Sequence, residues 1–307
     1  MEVNPVLDSL TKRKNQIAKE KISFREGVPV FSIIEISVVA ACNRRCPFCP
    51  VSSGTYYKDL GQSGVMKDKQ YEKLIADLED IDYSGMILFS GESEPLLHKK
   101  LPALIYETKL KLPSSRIEVN TNGDLLSVDR LKRLFGAGLD TLSVSLYDGP
   151  EQIEKFEEMR NQAELSVKQV ILRRRYLQDG NYGIHMTNRG GLIETQRFQH
   201  LALESEVEVH KNQKFPLKHV CYYPFYMLAV DVGGNVTICS HDWAKKYVVG
   251  NFMETHIFDI WKGVRFNAAR KKLGDCDRTL PSCATCDALG DLIGAESFKE
   301  WSKTLSD

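Results

Sequence analysis

From Ser32 to about residue 190 the chain alternates short apolar, β-branched runs with amphipathic stretches of helical period, and this alternation limits the possible folds more than any other feature. Repeated βα units of this kind bury a parallel sheet beneath helices, because strands that run parallel need a long crossover between them. The pattern predicts strands at Ile33–Val39, Met86–Phe89, Arg116–Asn120, Thr141–Leu146, Val167–Leu172 and Gly183–Thr187. Between them, helices are expected near 67–79, 99–111, 127–135 and 150–163. The first of these helices places Tyr71, Leu74, Ile75 and Leu78 on one face. Ser127 is a natural N-cap for the third, with Gly136 and Gly138 as its stop. Six strands are too few for an eight-stranded closed barrel, so the expected fold class is α/β, a partial and open barrel of the TIM type.

After residue 190 the texture changes. The run YPFYMLAVDVGGNVTICSHDW reads as strand, Gly-Gly turn and strand, a β-hairpin. A helix near 258–273 and a Gly/Asp/Cys-rich tail follow, giving a small α+β appendage. The expected division is a helical N-terminal extension over 1–31, the barrel over 32–215 and the appendage over 216–307.

Among 307 residues, 41 basic and 41 acidic side chains leave a formal net charge of zero, so nothing favours a nucleic-acid or membrane-surface partner. No apolar run is long enough to span a bilayer, and the N-terminus has neither the apolar core nor the cleavage site of a signal peptide. The chain reads as cytoplasmic. In a reducing compartment, clustered cysteines are metal ligands or catalytic groups more often than disulfides. Here they fall at 42, 46 and 49, at 221 and 239, and at 276, 283 and 286.

Cys42, Cys46 and Cys49 follow the first strand directly, in the loop AACNRRCPFCP. Active sites of parallel βα folds lie at the C-terminal ends of strands, where this loop sits. Three thiolates leave four-coordinate zinc one ligand short, whereas a four-iron cluster held by three thiolates keeps one iron open. The spacing, the aromatic Phe48 before the last cysteine and the placement after strand one resemble the radical S-adenosylmethionine (radical SAM) superfamily. That resemblance implies a partial (β/α)6 barrel, a [4Fe-4S] cluster whose open iron binds S-adenosylmethionine, and a 5′-deoxyadenosyl radical formed by reductive cleavage. SGESEPLLH, ending the second strand, is similar to the family's glycine- and glutamate-containing motif, and so implicates Gly91, Glu92, Ser93 and Glu94. It departs from the usual glycine doublet at Ser93, which leaves open which glutamate matters. Asn122, Ser143 and Ser145, ending the third and fourth strands, are the remaining expected cofactor contacts.

Cys221, Cys239, Cys283 and Cys286 supply four more thiolates, which on spacing alone suit a zinc ribbon as well as a second cluster. They resemble the first half of the SPASM pattern of radical SAM proteins, in its shortened "twitch" form. That implies one auxiliary [4Fe-4S] cluster, with all ligands from protein. Cys276 is left over: an unused thiol, a substitute ligand, or a hydrogen-atom donor.

The resemblance implies an oxidoreductase acting on a small polar substrate, with an external one-electron reductant of the flavodoxin or ferredoxin type. It points to dehydrogenases and epimerases of aminocyclitols and carbohydrates. Oxidation of a secondary alcohol to a ketone, with the auxiliary cluster as electron acceptor, is the first expectation. Epimerisation with Cys276 as donor is the alternative, and a zinc-stabilised binding protein a distant one. Arg189, in NRGG, is the expected substrate contact, with Tyr147 and Asp148 comparable. Arg173, Arg174 and Arg175 read as a solvated face.

Overall fold

The structure is a computed structural model that describes residues 10–175, 187–194 and 214–305. A short hairpin, β1 (Phe24–Arg25) and β2 (Val28–Pro29), precedes the main sheet. Five expected strands form: β3 (Ile33–Ile36), β4 (Met86–Phe89), β5 (Arg116–Thr121), β6 (Thr141–Leu146) and β7 (Val170–Arg174). They lie side by side in that order, all parallel. The fifth begins later than its hydrophobic run because Ser166 and Gln169 close a turn on each other, with Gln169 Oε1 accepting from the Ser166 N–H at 3.0 Å. The expected sixth strand, 183–187, lies outside the described residues except for Thr187, which is in no strand.

A sixth parallel strand instead comes from the far end of the chain. β8 (Met227–Val230) pairs with β3 in register, Ile33 opposite Met227 and Ile36 opposite Val230. β9 (Asn235–Thr237) and β10 (Val248–Asn251) follow antiparallel, giving one eight-stranded sheet ordered β10-β9-β8-β3-β4-β5-β6-β7. The expected hairpin therefore extends the barrel sheet.

Alternate residues of the strands divide the interior. Ile34, Ile36, Ile87, Phe89, Val119 and Val144 join Leu74, Ile75, Ile105 and Leu131 of the outer helices in the main core. Ile33, Met86 and Leu88 point the other way and meet Ile17 and Ala18 of the helix Leu10–Glu20. That helix is thus the floor of the open barrel. Arg13 and Arg116 converge on the fully buried carboxylate of Glu118 beneath it.

The expected helix over 258–273 is two helices, Ile257–Trp261 and Val264–Gly274, interrupted at Gly263. The tail also holds a helix, Ala295–Leu305, which composition concealed. Its Trp301 closes a cage around buried Arg270, whose guanidinium lies 3.6 Å from the Trp301 ring and 4.0 Å from that of Trp261. Arg270 also donates to the carbonyls of Pro224 at 2.9 Å and Trp261 at 2.8 Å. No described helix is long and apolar enough to cross a membrane.

Candidate active site

A cavity of about 460 Å³ opens at the C-terminal ends of the parallel strands. Cys42, Cys46, Cys49 and Phe48 line one wall, and Gly91, Glu92, Ser93, Glu94, Asn122 and Ser145 line the adjoining strand ends. Of the expected cofactor contacts only Ser143 is absent. It lies one pleat deeper on β6 than Ser145, fully buried.

The cysteine loop is held by its neighbours. Cys42 Sγ accepts from the Arg44 N–H at 3.5 Å and from Asn122 Nδ2 at 3.9 Å. Arg44 bridges Asp124 and Asp148, so Asp148 serves the loop and does not line the cavity. Phe48 packs on Tyr147, ring centroids 5.7 Å apart. Behind the loop, Tyr56 donates to the Trp243 carbonyl at 2.8 Å. Burial raises all three thiols, Cys46 to about 12, with Cys49 as a further cause there. Desolvated thiols crowded together favour the deprotonated state only when a metal centre takes up their charge, which suits a cluster.

The two glutamates of SGESEP behave differently. Glu94 accepts from the N–H groups of Leu96 (3.0 Å) and Asn122 (2.8 Å) and from the Thr121 hydroxyl (2.7 Å), so its oxygens are engaged by protein. It positions Asn122. Glu92 instead meets Lys245 at 2.9 Å. Gly91 has φ of +88°, and a Cβ there would lie 2.1 Å from the Ser37 hydroxyl, so no other residue fits the turn.

Arg189 lines the cavity as expected, on a turn docked to the second cysteine group. The Asn188 N–H donates to Asp287 at 2.7 Å and its side chain to the Thr285 carbonyl at 2.5 Å. Arg173, Arg174 and Arg175 also border the cavity; Arg173 is buried and Arg175 half-buried, which corrects their reading as a solvated face, whereas Arg174 is exposed. Sequence reasoning missed Lys14, Glu35 and Asn120, which also line it. Strand alternation from Ile34 would have turned Glu35 inward; nothing local marks Lys14. Glu35 is pushed up to about 7, by burial above all, and Lys14 down to about 8 for the same reason.

Cys221, Cys239, Cys283 and Cys286 border a second, narrow cavity with Ile238, Leu273 and Ala288. Burial and mutual repulsion push Cys283 and Cys286 up to about 12. Arg278 laces the site together, donating to the carbonyls of His219 at 3.2 Å, Ala288 at 2.6 Å and Leu289. Four thiols round one apolar pocket, with a guanidinium holding the backbone that carries them, suit an iron–sulfur cluster. Cys276 lines neither cavity. It sits on the turn after Val264–Gly274 with φ of +61°.

A family model described as the radical SAM superfamily matches residues 36–194, more than half of the chain. The chain belongs to the radical SAM superfamily. A second model, an iron–sulfur cluster-binding domain of the SPASM type, matches residues 221–287 of this radical SAM protein. Among curated proteins it is 30% identical over 259 residues to the S-adenosyl-L-methionine-dependent 2-deoxy-scyllo-inosamine dehydrogenase of Niallia circulans, covering 84% of this chain and 93% of that one. Among solved structures it is similar to BtrN in complex with AdoMet and 2-DOIA, with a TM-score of 0.68 and 29% identity over 85% of this chain and 95% of that one. The structure of anSMEcpe with bound AdoMet shares the fold at 14% identity and a TM-score of 0.50, covering 88% of this chain and 96% of that one. As a radical SAM enzyme with an iron–sulfur domain, this protein uses S-adenosylmethionine, a SAM-binding cluster and an auxiliary cluster. The zinc-only reading is set aside.

Proposed function

We propose that this protein oxidises a secondary alcohol of a small, hydroxyl-rich ring, of sugar or aminocyclitol type, to a ketone. The observation that carries the reading is that Tyr223, His241 and Ala288 line both cavities, so the four-thiol site lies directly behind one wall of the substrate chamber. The similarity to a dehydrogenase over most of both chains supports it.

In this reading Cys42, Cys46 and Cys49 hold the SAM-binding cluster, and Cys221, Cys239, Cys283 and Cys286 the auxiliary one. Phe48, Gly91, Ser93, Asn122 and Ser145 border S-adenosylmethionine. When bound, these groups supply a 5′-deoxyadenosyl radical as hydrogen-atom acceptor and an electron sink beside the chamber. Turning an alcohol into a ketone also releases the hydroxyl proton. Glu35 is placed to hold it, because its carboxyl lines the chamber and burial pushes it up to about 7, close to the pH at which a general base works best. Glu92, fixed by Lys245, presents carboxylate oxygens to ring hydroxyls, and Arg189 donates to a hydroxyl oxygen. Trp243, packed with Val51 and Tyr56, keeps water from the cysteine loop. The domain division is read as a barrel over 32–215 and an auxiliary-cluster module over 216–307, joined through β3 and β8. A flavodoxin- or ferredoxin-type reductant in the cytoplasm completes the scheme.

The test is anaerobic turnover of reconstituted protein with dithionite and 2-deoxy-scyllo-inosamine or a panel of sugars. Ketone and 5′-deoxyadenosine should form in equal amounts. A double variant, Cys283→Ala with Cys286→Ala, should keep 5′-deoxyadenosine formation and lose the ketone. Wild-type protein that forms no 5′-deoxyadenosine, or a double variant that still makes ketone, would sink the reading.

A further inference from the structure

The helix Leu10–Glu20 puts one side chain into the 460 Å³ chamber, that of Lys14. Lys14 stands three and four residues before Ile17 and Ala18, so it shares their face, and they pack with Ile33 of β3. Ile33 and Glu35 alternate with Ile34 along that strand, so both turn to the chamber side. Lys14 therefore faces the wall that carries Glu35. Three contacts fix the helix there. Arg13 pairs with the buried Glu118 carboxylate, the Ser32 hydroxyl donates to the Ala18 carbonyl at 2.9 Å, and the Gly294 N–H donates to Asn15 Oδ1 at 3.2 Å.

The carboxylates around this pair have partners of their own. Glu92 meets Lys245 at 2.9 Å, and Glu118 is held by Arg13 and Arg116. Glu92, Lys245 and Arg189 also act on Glu35, and Arg173, Glu118 and Arg13 on Lys14, yet Lys14 and Glu35 are each other's strongest charged neighbour. Among the described residues no hydrogen bond or ion pair joins the two, so they attract through space across the chamber. An ammonium and a carboxylate held apart in a half-enclosed space each keep unmet hydrogen-bonding capacity. A hydroxyl, donor and acceptor at once, satisfies both, whereas an ammonium substituent only donates and is repelled by Lys14.

We propose that Lys14 is a catalytic residue: its ammonium donates to the oxygen of the hydroxyl being oxidised, while Glu35 accepts the proton of that hydroxyl. The inference rests on the dehydrogenase reading above and deepens it by naming the group that holds the reacting oxygen. The C–H hydrogen atom passes to the 5′-deoxyadenosyl radical, giving 5′-deoxyadenosine and a carbon radical that bears the hydroxyl. The O–H bond then breaks as C–O becomes C=O, its proton going to the Glu35 carboxylate and one electron to the auxiliary cluster. Negative charge grows on the oxygen as the proton leaves, and the Lys14 ammonium stabilises it. The same pair selects the carbon to be oxidised, because a hydroxyl bridges Lys14 and Glu35 and a neighbouring ammonium substituent does not.

The experiment is anaerobic turnover of reconstituted holoenzyme across neutral and alkaline pH, with 2-deoxy-scyllo-inosamine or the sugar that wild type oxidises fastest. At limiting substrate, ketone formation should rise as Glu35 ionises through about 7 and fall as Lys14 loses its proton through about 8. Lys14→Gln should lower ketone formation roughly a hundredfold. By calorimetry it should also weaken substrate binding about tenfold, with iron content and S-adenosylmethionine affinity unchanged. Lys14→Arg should keep roughly a tenth or more of the ketone and lose the falling limb, because a guanidinium stays charged there. That variant carries the test if Lys14→Gln does not fold. Ketone formation by Lys14→Gln within about threefold of wild type, or a falling limb that persists in Lys14→Arg, overturns the proposal and leaves the dehydrogenase reading standing. Loss of S-adenosylmethionine affinity in folded Lys14→Gln also overturns it, by assigning the ammonium to the cofactor. Wild-type protein that forms no ketone removes the dehydrogenase reading and this inference with it.

Discussion

The guanidinium of Arg44 grips the Asp148 carboxylate through two hydrogen bonds of 2.7 Å each. Its Nε reaches Asp124 at 2.7 Å, so one side chain ties the ends of β5 and β6 to the loop between Cys42 and Cys46. Arg44→Met leaves two carboxylates facing each other beside that loop. The expected cost is about 1–2 kcal/mol, discounted for partial exposure, read from the denaturation midpoint. Iron retention by the first cluster should fall with it. An unchanged midpoint and full iron retention would show that the clamp does not hold the loop. Arg44 also keeps Asp148 below the usual carboxylate range, so the clamp's stabilisation is present above that range and lost as pH falls through the lowered value.

Glu94→Ala leaves the buried N–H groups of Leu96 and Asn122 and the Thr121 hydroxyl without their acceptor. A loss of roughly 2–4 kcal/mol is expected. Because Asn122 is released, S-adenosylmethionine affinity should drop more than the turnover of saturated enzyme. Calorimetry beside single-turnover kinetics measures both.

Glu35 and Lys14 impose opposite pH dependences on stability. Glu35 is raised from 4.5 to about 7, so between those values the unfolded chain has released a proton that the folded chain keeps. Its contribution is full below 4.5 and is lost as pH rises to about 7. Lys14 is lowered from 10.5 to about 8, and in that interval the unfolded chain holds the extra proton, so stability rises with pH. Glu35→Gln should flatten the fall below pH 7, and Lys14→Met the rise above pH 8. Denaturant midpoints across pH 5 to 10 would reveal slopes that persist in the variants if these groups are not responsible.

Cys276→Ala should leave turnover within about twofold of wild type, because the thiol lines neither cavity. Product formed in deuterium oxide should carry no solvent deuterium at the oxidised carbon. Retention of deuterium there, together with an inactive variant, would restore the epimerisation reading.

Five barrel strands and the helix face of Tyr71, Leu74, Ile75 and Leu78 were legible because they are written in local periodicity. The grouping of Cys42, Cys46 and Cys49 on one wall of the chamber was legible because a single short loop carries all three and needs no distant partner. What stayed hidden is non-local. The pairing of β8 with β3 joins residues about two hundred apart, and no run of sequence encodes which strand an edge will take. Lys14 reaches the chamber only because its helix happens to close the floor, and Lys245 meets Glu92 only once the β9–β10 connection folds over it. Three consecutive arginines look solvated until the strand's end is known, since a pleat sends two of them inward. The helix Ala295–Leu305 was hidden by the glycines and cysteines before it, although Phe298 and Trp301 share one side of it.

The ladder between β3 and β8 has one more consequence. Cys42 lies just beyond one strand and Cys221 just before the other, with the strands locked rung for rung from Ile33–Met227 to Ile36–Val230. In the proposed scheme the segments that carry the two cysteine groups flank one hydrogen-bonded ladder, like two electrodes mounted on one plate. Tunnelling rates fall steeply with distance, and this plate cannot slide by one residue without turning every inward side chain of β8 outward. In that scheme the shared strands fix the frame, and adaptation to a new substrate is left to side chains around the chamber.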